Sequence, residues 1–285
     1  MCCSIVAGLL GNFVRLFAAL GPGDIVAAQR KLLAGESSKI TETSIIFSGQ
    51  LYEYCRQRGI EALFTSDNGT PDRLAAPPVT LINVPRQWEK SRGWQFHVSR
   101  MIYAIRLAKA ARAFGADFAL IDSGTTHFFA LTIFKLMGIP VAVNFHNVRW
   151  PQGFEPHGFV GRTLRLLDSW FFRRVAVGAV GCSPECGLQA RSDGADRLPY
   201  FGWCSQFRSV GFASDNTYSI RNPFRLLFVG RAERSKGVFD LLKIADLLKR
   251  TCKVPIIIEV CGAGSALTEL RKAVEAIGNS DQVSA

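Results

Sequence analysis

Short runs of consecutive apolar residues alternate along the chain with longer segments of helical periodicity. The apolar runs, which predict strands, lie at 61–65, 79–84, 117–122, 140–145, 175–180, 224–230 and 255–260. Helical periodicity covers residues 24–34, 49–58, 97–114, 127–137, 158–174, 184–191, 236–250 and 265–277. Continuous apolar strands are typical of strands that are covered on both faces. The pattern therefore predicts an α/β fold on a parallel, doubly wound sheet.

A break in this pattern divides the chain into two regions. Residues 202–222 are rich in Gly, Ser and Asn and have no periodicity, so they are predicted to connect two domains. We place an N-terminal Rossmann-like domain at 1–205, a linker at 206–221 and a second Rossmann-like unit at 222–285. The second unit has only two strand–helix repeats, too few for a complete doubly wound domain.

The composition is globular and the charge is strongly basic. Hydrophobic residues make up 48% of the chain and charged residues 20%, with a formal net charge of +11. This charge is compatible with nucleic acid, anionic lipid or a phosphorylated substrate as partner, and equally with a basic surface that binds nothing. Nucleic-acid binding is disfavoured, because no zinc finger, basic heptad region or RRM-like aromatic signature occurs.

Cysteine spacing and the N-terminal segment bear on the compartment. None of the eight cysteines forms a CxxC pair, and no His lies at zinc spacing near them, so we expect reduced thiols, no disulfide framework and a cytoplasmic location. The first twenty residues are apolar but contain Asn12 and Arg15, which disfavours a secretory signal or a spanning helix. A buried strand, a buried helix and a membrane-surface anchor stay open for this segment.

Two cations follow the apolar run at 224–230. Gly230 ends this predicted strand, Arg231 follows it, and Lys236 and Gly237 come at the predicted start of the next helix. Ligands of open parallel sheets bind beyond the carboxyl ends of the strands, and a cation in a first helical turn opposes the helix dipole unless it faces an anion. The chemistry alone is compatible with a phosphate site, which Arg would grip bidentately, and with a solvated basic turn.

The order of elements over 224–278 resembles a known family. An apolar strand, Gly-Arg, a short turn, Lys-Gly, an amphipathic helix, a second apolar strand, Gly-x-Gly and a further helix follow one another. This arrangement is similar to the donor-binding domain of GT-B glycosyltransferases, and more narrowly of the retaining family 4, the "glycosyl transferases group 1" set. The resemblance implies a GT-B-like fold, in which Arg231 and Lys236, with Gly230 and Gly237, hold the diphosphate of a nucleotide sugar.

Two glycine pairs are candidates for contact with the donor. Gly262 and Gly264 predict a tight strand-to-helix turn, while a dinucleotide fingerprint is disfavoured because Leu267 replaces its third glycine. Gly21 and Gly23 precede the helix at 24–34. They match either the family's N-terminal glycine-rich donor loop or an ordinary turn.

His146 lies just past the apolar run at 140–145. Histidine is the usual proton carrier at neutral pH, but a single His also commonly packs or caps. The family often has a His-bearing loop at this point of the chain, beside the transferred sugar, so the resemblance implies a catalytic place for His146. Ser183 is predicted only to cap the helix at 184–191.

The helix at 97–114 is basic and has tryptophans upstream. It carries Arg100, Arg106, Lys109 and Arg112 without an acid, and Arg86 precedes it. Such a segment suits an anionic membrane surface, and some family members dock on membranes to reach lipid-linked acceptors. A solvated helix face is the alternative for 86–112.

The chain also departs from the family pattern. The family's second half has two glutamates seven residues apart, which do not occur after Phe224, and the sequence stops at Ala285 where a further strand is expected. We therefore expect a C-terminally truncated member.

The resemblance implies a hexosyltransferase-type enzyme. It would transfer a sugar from a nucleotide-sugar donor to a glycan or lipid-linked acceptor, as in polysaccharide biosynthesis, with retention of configuration and without metal or other cofactor. The alternatives are a non-catalytic remnant that binds phosphorylated ligands and a basic peripheral membrane module.

Overall fold

The computed structural model describes residues 15–36, 43–86, 93–150, 155–192, 194–203, 223–276 and 283–284. The chain divides into two compact units, Met1–Phe207 (unit 1) and Arg208–Ala285 (unit 2). The predicted linker at 206–221 lies outside the described residues, as do residues 1–14 of the apolar N-terminal segment.

Unit 1 is built on an eight-stranded sheet. Its strands are β1 (Arg15–Ala19), β2 (Glu61–Ser66), β3 (Asp72–Ala76), β4 (Val79–Asn83), β5 (Phe118–Asp122), β6 (Val141–Phe145), β7 (Gly178–Gly181) and β8 (Tyr200–Gly202). They lie in the order β3-β4-β2-β1-β5-β6-β7-β8. All neighbouring pairs are parallel except β3 and β4, so an antiparallel edge strand borders an otherwise parallel sheet.

Helices cover both faces of this sheet. They are α1 (Ile25–Leu33), α2 (Thr43–Arg58), α3 (Trp94–Phe114), α4 (Thr132–Leu136), α5 (Gly158–Arg174) and α6 (Pro184–Arg191), with a 3-10 turn at Phe128–Leu131. In β1, Phe17 joins a core with α3 to α6, whereas Leu16 joins a second core with α1 and α2. Alternate residues of one strand enter different cores because successive side chains point to opposite faces. The predicted doubly wound α/β architecture is confirmed.

Unit 2 has a three-stranded parallel sheet in the order β11-β10-β9. Its elements are β9 (Phe224–Val229), a 3-10 turn (Arg234–Lys236), α7 (Asp240–Thr251), β10 (Ile256–Cys261), α8 (Leu267–Ala276) and β11 (Val283–Ser284). A single core joins both helices to one face of the sheet. On the other face, the side chains of Leu227 and Val229 are 60% and 74% exposed.

Several boundaries differ from the sequence predictions. The strand predicted at 175–180 begins only at Gly178, and the helix predicted from 236 begins at Asp240. Strand β1 lies in the apolar N-terminal segment, for which a buried strand was one of the open alternatives. Its bounds were not predicted, because no turn signal marks where it begins. Strand β3 was also missed, because it lies on the sheet edge and alternates between exposed and half-buried residues. None of the described helices is long and apolar enough to cross a bilayer.

Candidate active site

The carboxyl edge of the unit 1 sheet carries a series of polar side chains. Five neighbouring strands, β4, β2, β1, β5 and β6, end at this edge. The chain passes from β1 to β2 on one side, and later returns to β5 on the other side of β1. Such a switch in strand order opens a crevice, and open α/β sheets bind their ligands there.

Asp122, Asn144 and His146 form a hydrogen-bonded group at the ends of β5 and β6. His146 Nε2 lies 2.5 Å from Asp122 Oδ2, and Asn144 Nδ2 donates to Asp122 Oδ1 over 2.7 Å. Trp203, just past β8, donates from Nε1 to Asn144 Oδ1 over 2.8 Å. The rings of Phe47 and Trp203 also pack against the His146 imidazole in T-shaped arrangements. The orientation of His146 is therefore set by neighbours from three different parts of the chain.

Burial controls the electrostatics of this group. Asp122 is fully buried, and loss of hydration raises the pKa of its carboxyl, although hydrogen bonds from His146 and Asn144 oppose the rise. The hydrogen bond to the carboxylate assigns the imidazole proton of His146 to Nε2. Its Nδ1 is buried and has no hydrogen-bond partner among the described residues. In this tautomer Nδ1 has a lone pair that can accept a hydrogen bond from a ligand hydroxyl.

The loop after β1 approaches this group closely. Gly21 has a φ of +63°, and a Cβ atom on it would lie 3.3 Å from Ser44 Cβ and 3.6 Å from Asp122 Oδ2. Gly23 is buried and its carbonyl accepts from the amide of Ile25, the first residue of α1. The structure thus places both predicted glycines after the central strand and brings Gly21 beside Asp122 and His146.

A second polar group lies on the same edge. Asp67, just past β2, forms an ion pair with Arg86, which follows β4. Arg100 of α3 donates from Nη1 to the Gly124 carbonyl over 2.5 Å. The Asp67 amide donates to the Gly21 carbonyl over 3.2 Å, so the two groups are neighbours.

The inward position of Arg86 and Arg100 corrects part of the membrane-face prediction. The predicted basic face over 86–112 includes both arginines, but Arg86 pairs with the buried Asp67 and Arg100 donates to the Gly124 carbonyl instead of facing solvent alone. The pattern held a signal for Arg100, which lies three, seven and eleven residues before the buried Tyr103, Leu107 and Ala111. That spacing puts all four residues on one helix face.

Unit 2 presents the predicted phosphate-binding cations differently. Arg231 follows β9, is 70% exposed, and lies with Nη1 3.1 Å from Glu233 Oε1. Lys236 ends the 3-10 turn, and Gly237 has a φ of +75° before α7 begins at Asp240. Lys236 is therefore not in the first helical turn, and the helix-dipole argument for it was wrong. The short turn and the left-handed glycine delay the helix by one turn.

The Gly262 and Gly264 pair serves the packing of two loops. A Cβ atom on Gly262 would lie 1.8 Å from the Gly230 carbonyl oxygen, and one on Gly264 would lie 2.3 Å from the Ala232 carbonyl oxygen. The Ala232 amide also donates to the Ala263 carbonyl over 3.0 Å. The loop after β10 thus packs against the residues before and after Arg231 and fixes the Arg231 backbone. The Gly230 carbonyl is the atom that Gly262 contacts most closely.

Sequence reasoning missed the partners of His146. Asp122 ends an apolar run and precedes Ser-Gly, which is a usable signal for a site at a strand end. Asn144 and Trp203 carried no such signal. In the part of the chain that the structure describes, no group of three or more His, Cys, Asp or Glu side chains is arranged to hold a metal ion.

Two family models match the chain. Residues 46–200 match the family described as "Glycosyl transferase 4-like domain", and residues 214–285 match "Glycosyl transferases group 1". The first match spans more than half of the chain, so the protein belongs to this family of glycosyltransferases, as its resemblance over 224–278 predicted. No curated protein matches the chain by sequence comparison.

Solved structures of similar fold agree with this membership. Sucrose-phosphate synthase from Thermosynechococcus elongatus superposes with a TM-score of 0.61 at 12% identity, covering 95% of this chain and 69% of its own. The α,α-trehalose-phosphate synthase (UDP-forming) from Burkholderia vietnamiensis gives 0.54 at 10% identity, covering 92% and 68%. Anabaena HepE in complex with UDP gives 0.52 at 12% identity, covering 95% and 68%. The chain has the GT-B class of α/β fold.

Proposed function

We propose that this protein transfers a sugar from a nucleotide-sugar donor to an acceptor hydroxyl. The observation that carries the proposal is the Asp122–His146 pair at the strand-order switch of a chain that belongs to a glycosyltransferase family. Anabaena HepE, a structural neighbour, was solved with UDP, which supports a nucleotide diphosphate as part of the donor.

Arg231 and Lys236 are proposed to hold the donor diphosphate. Negative charge grows on the departing diphosphate during transfer, and preorganised cations lower the barrier by stabilising that charge. Arg231 is exposed and paired only with the nearby Glu233 among the residues described, so its guanidinium can exchange this partner for a phosphate. Gly237 forms a left-handed turn directly after Lys236. Gly262 and Gly264 contribute by holding the Arg231 backbone in place.

His146 is proposed to contact the transferred sugar. Its Nδ1 lone pair can accept a hydrogen bond from a sugar hydroxyl, because Nε2 already donates to Asp122. Asp122 acts through His146 as a positioning residue. It keeps the imidazole in one tautomer and one orientation, as the buried carboxylate partner of a catalytic histidine does in other enzymes.

The finer chemistry follows the family resemblance. We propose transfer of a hexosyl group with retention of configuration and without a bound metal or other cofactor. Activity in the presence of EDTA should then equal activity in its absence, measured as nucleotide release with a fixed donor and acceptor. Loss of activity in EDTA that returns with one divalent cation would overturn this part of the proposal.

A glycan or lipid-linked acceptor at the cytoplasmic side of a membrane is the accompanying proposal. Its support is the exposed face of α3, where Arg106, Lys109 and Arg112 remain on the surface. Charge reversal at Arg106 and Lys109 should abolish binding to vesicles that contain anionic lipid. The same reversal at Lys243 and Lys249 of α7 is the matched control, and unchanged binding of the α3 variant would exclude this face.

The deciding experiment is calorimetric binding of UDP-, GDP- and ADP-sugars to the purified chain. We expect one base to bind, and an Arg231→Ala/Lys236→Ala double variant to lose at least about tenfold in affinity, as two charge-assisted contacts require. Lys243→Ala/Arg250→Ala removes two exposed cations of α7 instead and should leave binding unchanged. If the Arg231→Ala/Lys236→Ala variant binds the donor with full affinity, the diphosphate does not bind at this turn. No binding to any donor would favour the non-catalytic remnant.

A further inference from the structure

The second polar group of unit 1 carries more positive than negative charge. It contains two guanidinium groups, Arg86 and Arg100, and one carboxylate, Asp67. The side chains of Arg86 and Asp67 are only 13% and 2% exposed. Arg100 is half-buried, and burial first and the neighbouring Arg86 second lower the pKa of its guanidinium to about 10. Among the described residues, Asp67 is the ion-pair partner of Arg86, and no carboxylate lies within salt-bridge distance of Arg100.

One of the two histidines beside Arg100, His127, adds no positive charge at neutral pH. His127 Nε2 lies 2.9 Å from His97 Nδ1, and the two rings stack. Burial first, and then the nearby Arg100, lower the pKa of His127 to about 4, so this ring is neutral at pH 7. His127 therefore does not contribute to the positive charge of this group, which comes from Arg86 and Arg100.

Several polar atoms of the group are buried without a hydrogen-bond partner among the described residues. They are Asp67 Oδ1, Arg86 Nε, Arg100 Nε and Thr125 Oγ1. Thr125 follows Gly124, whose carbonyl Arg100 already contacts. A buried charged donor without a partner is costly, and a water molecule would satisfy the N–H group but not the surplus charge. A small anion satisfies both.

The chemistry of the donors narrows the class of anion. Guanidinium groups bind planar carboxylates and phosphates through paired N–H donors, and two of them side by side are suited to one tetrahedral phosphate. Because the donor diphosphate is assigned to unit 2, an anion held by Arg86 and Arg100 belongs to another ligand. Gly21 joins this group to the Asp122–His146 pair, since its carbonyl accepts from Asp67 and its Cα faces Asp122.

We propose that Arg86 and Arg100 form a binding subsite for a phosphate or carboxylate group on the acceptor. The assignment to the acceptor rests on the proposed glycosyl transfer, whereas the binding of an anion at this place does not. The acceptor is then an anionic sugar or sugar phosphate, and the subsite sets its register beside His146.

The test is direct binding of anions to the full chain. Inorganic phosphate, a hexose 6-phosphate, a hexuronic acid and the neutral hexose are titrated by calorimetry. We expect the hexose 6-phosphate or the hexuronic acid to bind at least about tenfold more tightly than the neutral hexose, and their ratio identifies the anion as phosphate or carboxylate. Equal binding of all sugars, or of none, would overturn the subsite.

Single substitutions test where the anion binds and separate lost binding from misfolding. Arg86→Gln and Arg100→Gln should each weaken anion binding, while Arg106→Gln on the exposed face of α3 should not. Asp67→Asn removes the competing carboxylate and should strengthen binding several-fold, a gain that misfolding cannot produce. Weaker or unchanged binding in Asp67→Asn would contradict the proposal.

The failure of this inference is distinguishable from failure of the proposed function. The Arg231→Ala/Lys236→Ala variant should keep its affinity for the hexose 6-phosphate, and loss of it there would move the anion to unit 2. Anion binding without any nucleotide-sugar binding would support the subsite but contradict the proposed transfer reaction. Nucleotide-sugar binding without anion binding would contradict the subsite and leave the proposed transfer reaction in place.

Discussion

The two sheets of this protein use similar apolar strands in different surroundings. In unit 1, all five residues of β5 are buried, because helices cover both faces of the sheet. In unit 2, β9 has an equally continuous apolar run, but only its Leu226 and Phe228 join a core, while Leu227 and Val229 are exposed. A continuous apolar run thus indicates a parallel strand that can be buried on both faces. It does not show that the described residues cover both faces.

The same contrast applies to the candidate site residues. In unit 1, Asp122 and His146 are buried and held by side chains from several strands. In unit 2, Arg231 is 70% exposed, and what the structure fixes is its backbone, between Gly262 and Gly264. Unit 1 therefore preorganises side chains, whereas unit 2 preorganises a loop whose side chain is free to reach a ligand.

Truncation of adjacent strand residues should test the contrast most strongly. In β5, both Leu120→Ala and Ile121→Ala should lower the free energy of unfolding by about 3 kcal/mol, since each enters a core. In β9, Leu227→Ala should cost less than about 1 kcal/mol, because its side chain is already exposed to solvent. Denaturant unfolding of the variants gives these values. A cost for Leu227→Ala equal to that for Leu120→Ala would mean that β9 is covered in solution.

Backbone approach in unit 2 should be nearly as sensitive. Gly262→Ala places a methyl group on the Gly230 carbonyl oxygen, and the forced loop shift should cost about 3 kcal/mol. Gly230→Ala is the matched control, because a methyl group there lies 3.4 Å from the Phe228 ring, an ordinary contact, and should cost less than about 1 kcal/mol. Thermal unfolding of both variants separates the two outcomes. Equal stability would contradict the close approach of the two loops.

The Asp122 carboxylate should matter more for transfer than for stability. Asp122→Asn keeps the shape of a buried side chain and should cost about 1 kcal/mol of stability, since one charge-assisted hydrogen bond is exchanged for a neutral one. The amide no longer fixes the His146 tautomer, so kcat should fall about 100-fold or more with little change in KM.

A control variant at the opposite end of β5 accompanies this measurement. Asp117 accepts a hydrogen bond from the Arg15 amide at the exposed amino edge of the sheet. Asp117→Asn should leave kcat unchanged. A parallel loss of kcat in both variants would indicate a general effect on the sheet rather than on His146.

His127 provides the smallest expected effect, a pH dependence of unit 1. Its pKa is lowered to about 4 from an ordinary value near 6.5, so the unfolded chain binds more protons between these values. Its contribution to stability is present above pH 6.5 and is lost as the pH falls toward 4. Allowing for partial exposure of the ring, we expect a loss of about 1 kcal/mol that the His127→Phe variant does not show.

A second buried group makes the comparison with this variant necessary. Burial raises the pKa of Asp168 to about 6, despite the opposing charge of Arg149. Because of Asp168, the free energy of unfolding falls as the pH rises between about 4 and 6. This change is opposite in sign to the change that His127 causes. Only the difference between wild type and His127→Phe isolates the histidine, and identical pH profiles would show that its ring is solvated.

Local signals explain which elements could be predicted. The helix predicted at 184–191 has these bounds in the structure, because Ser183 caps it through the Cys186 amide and Pro184 begins it. Residues 79–84 were predicted as a strand and form β4 within one residue. The start of α7 could not be predicted, because the left-handed Gly237 interrupts a pattern that is amphipathic from Lys236 onward.

The sequence by itself determined the alternation of strands and helices, the Gly-Arg to Lys-Gly order of unit 2, and with them the family. It also placed His146 after an apolar run, where a parallel sheet exposes its carboxyl ends, and Gly21 before a predicted helix. These features are local, since they depend on periodicity and on residues a few positions apart.

The tertiary structure decided which of these residues meet. Asp122 reaches His146 across 24 positions and Trp203 reaches Asn144 across 59, because strand order makes β5, β6 and the end of β8 near neighbours. Strand order depends on the sum of many weak packing contacts, which no short stretch of sequence encodes. Helical spacing puts Arg100 on the buried face of α3, but only the folded chain shows that its guanidinium contacts the Gly124 carbonyl, 24 positions away.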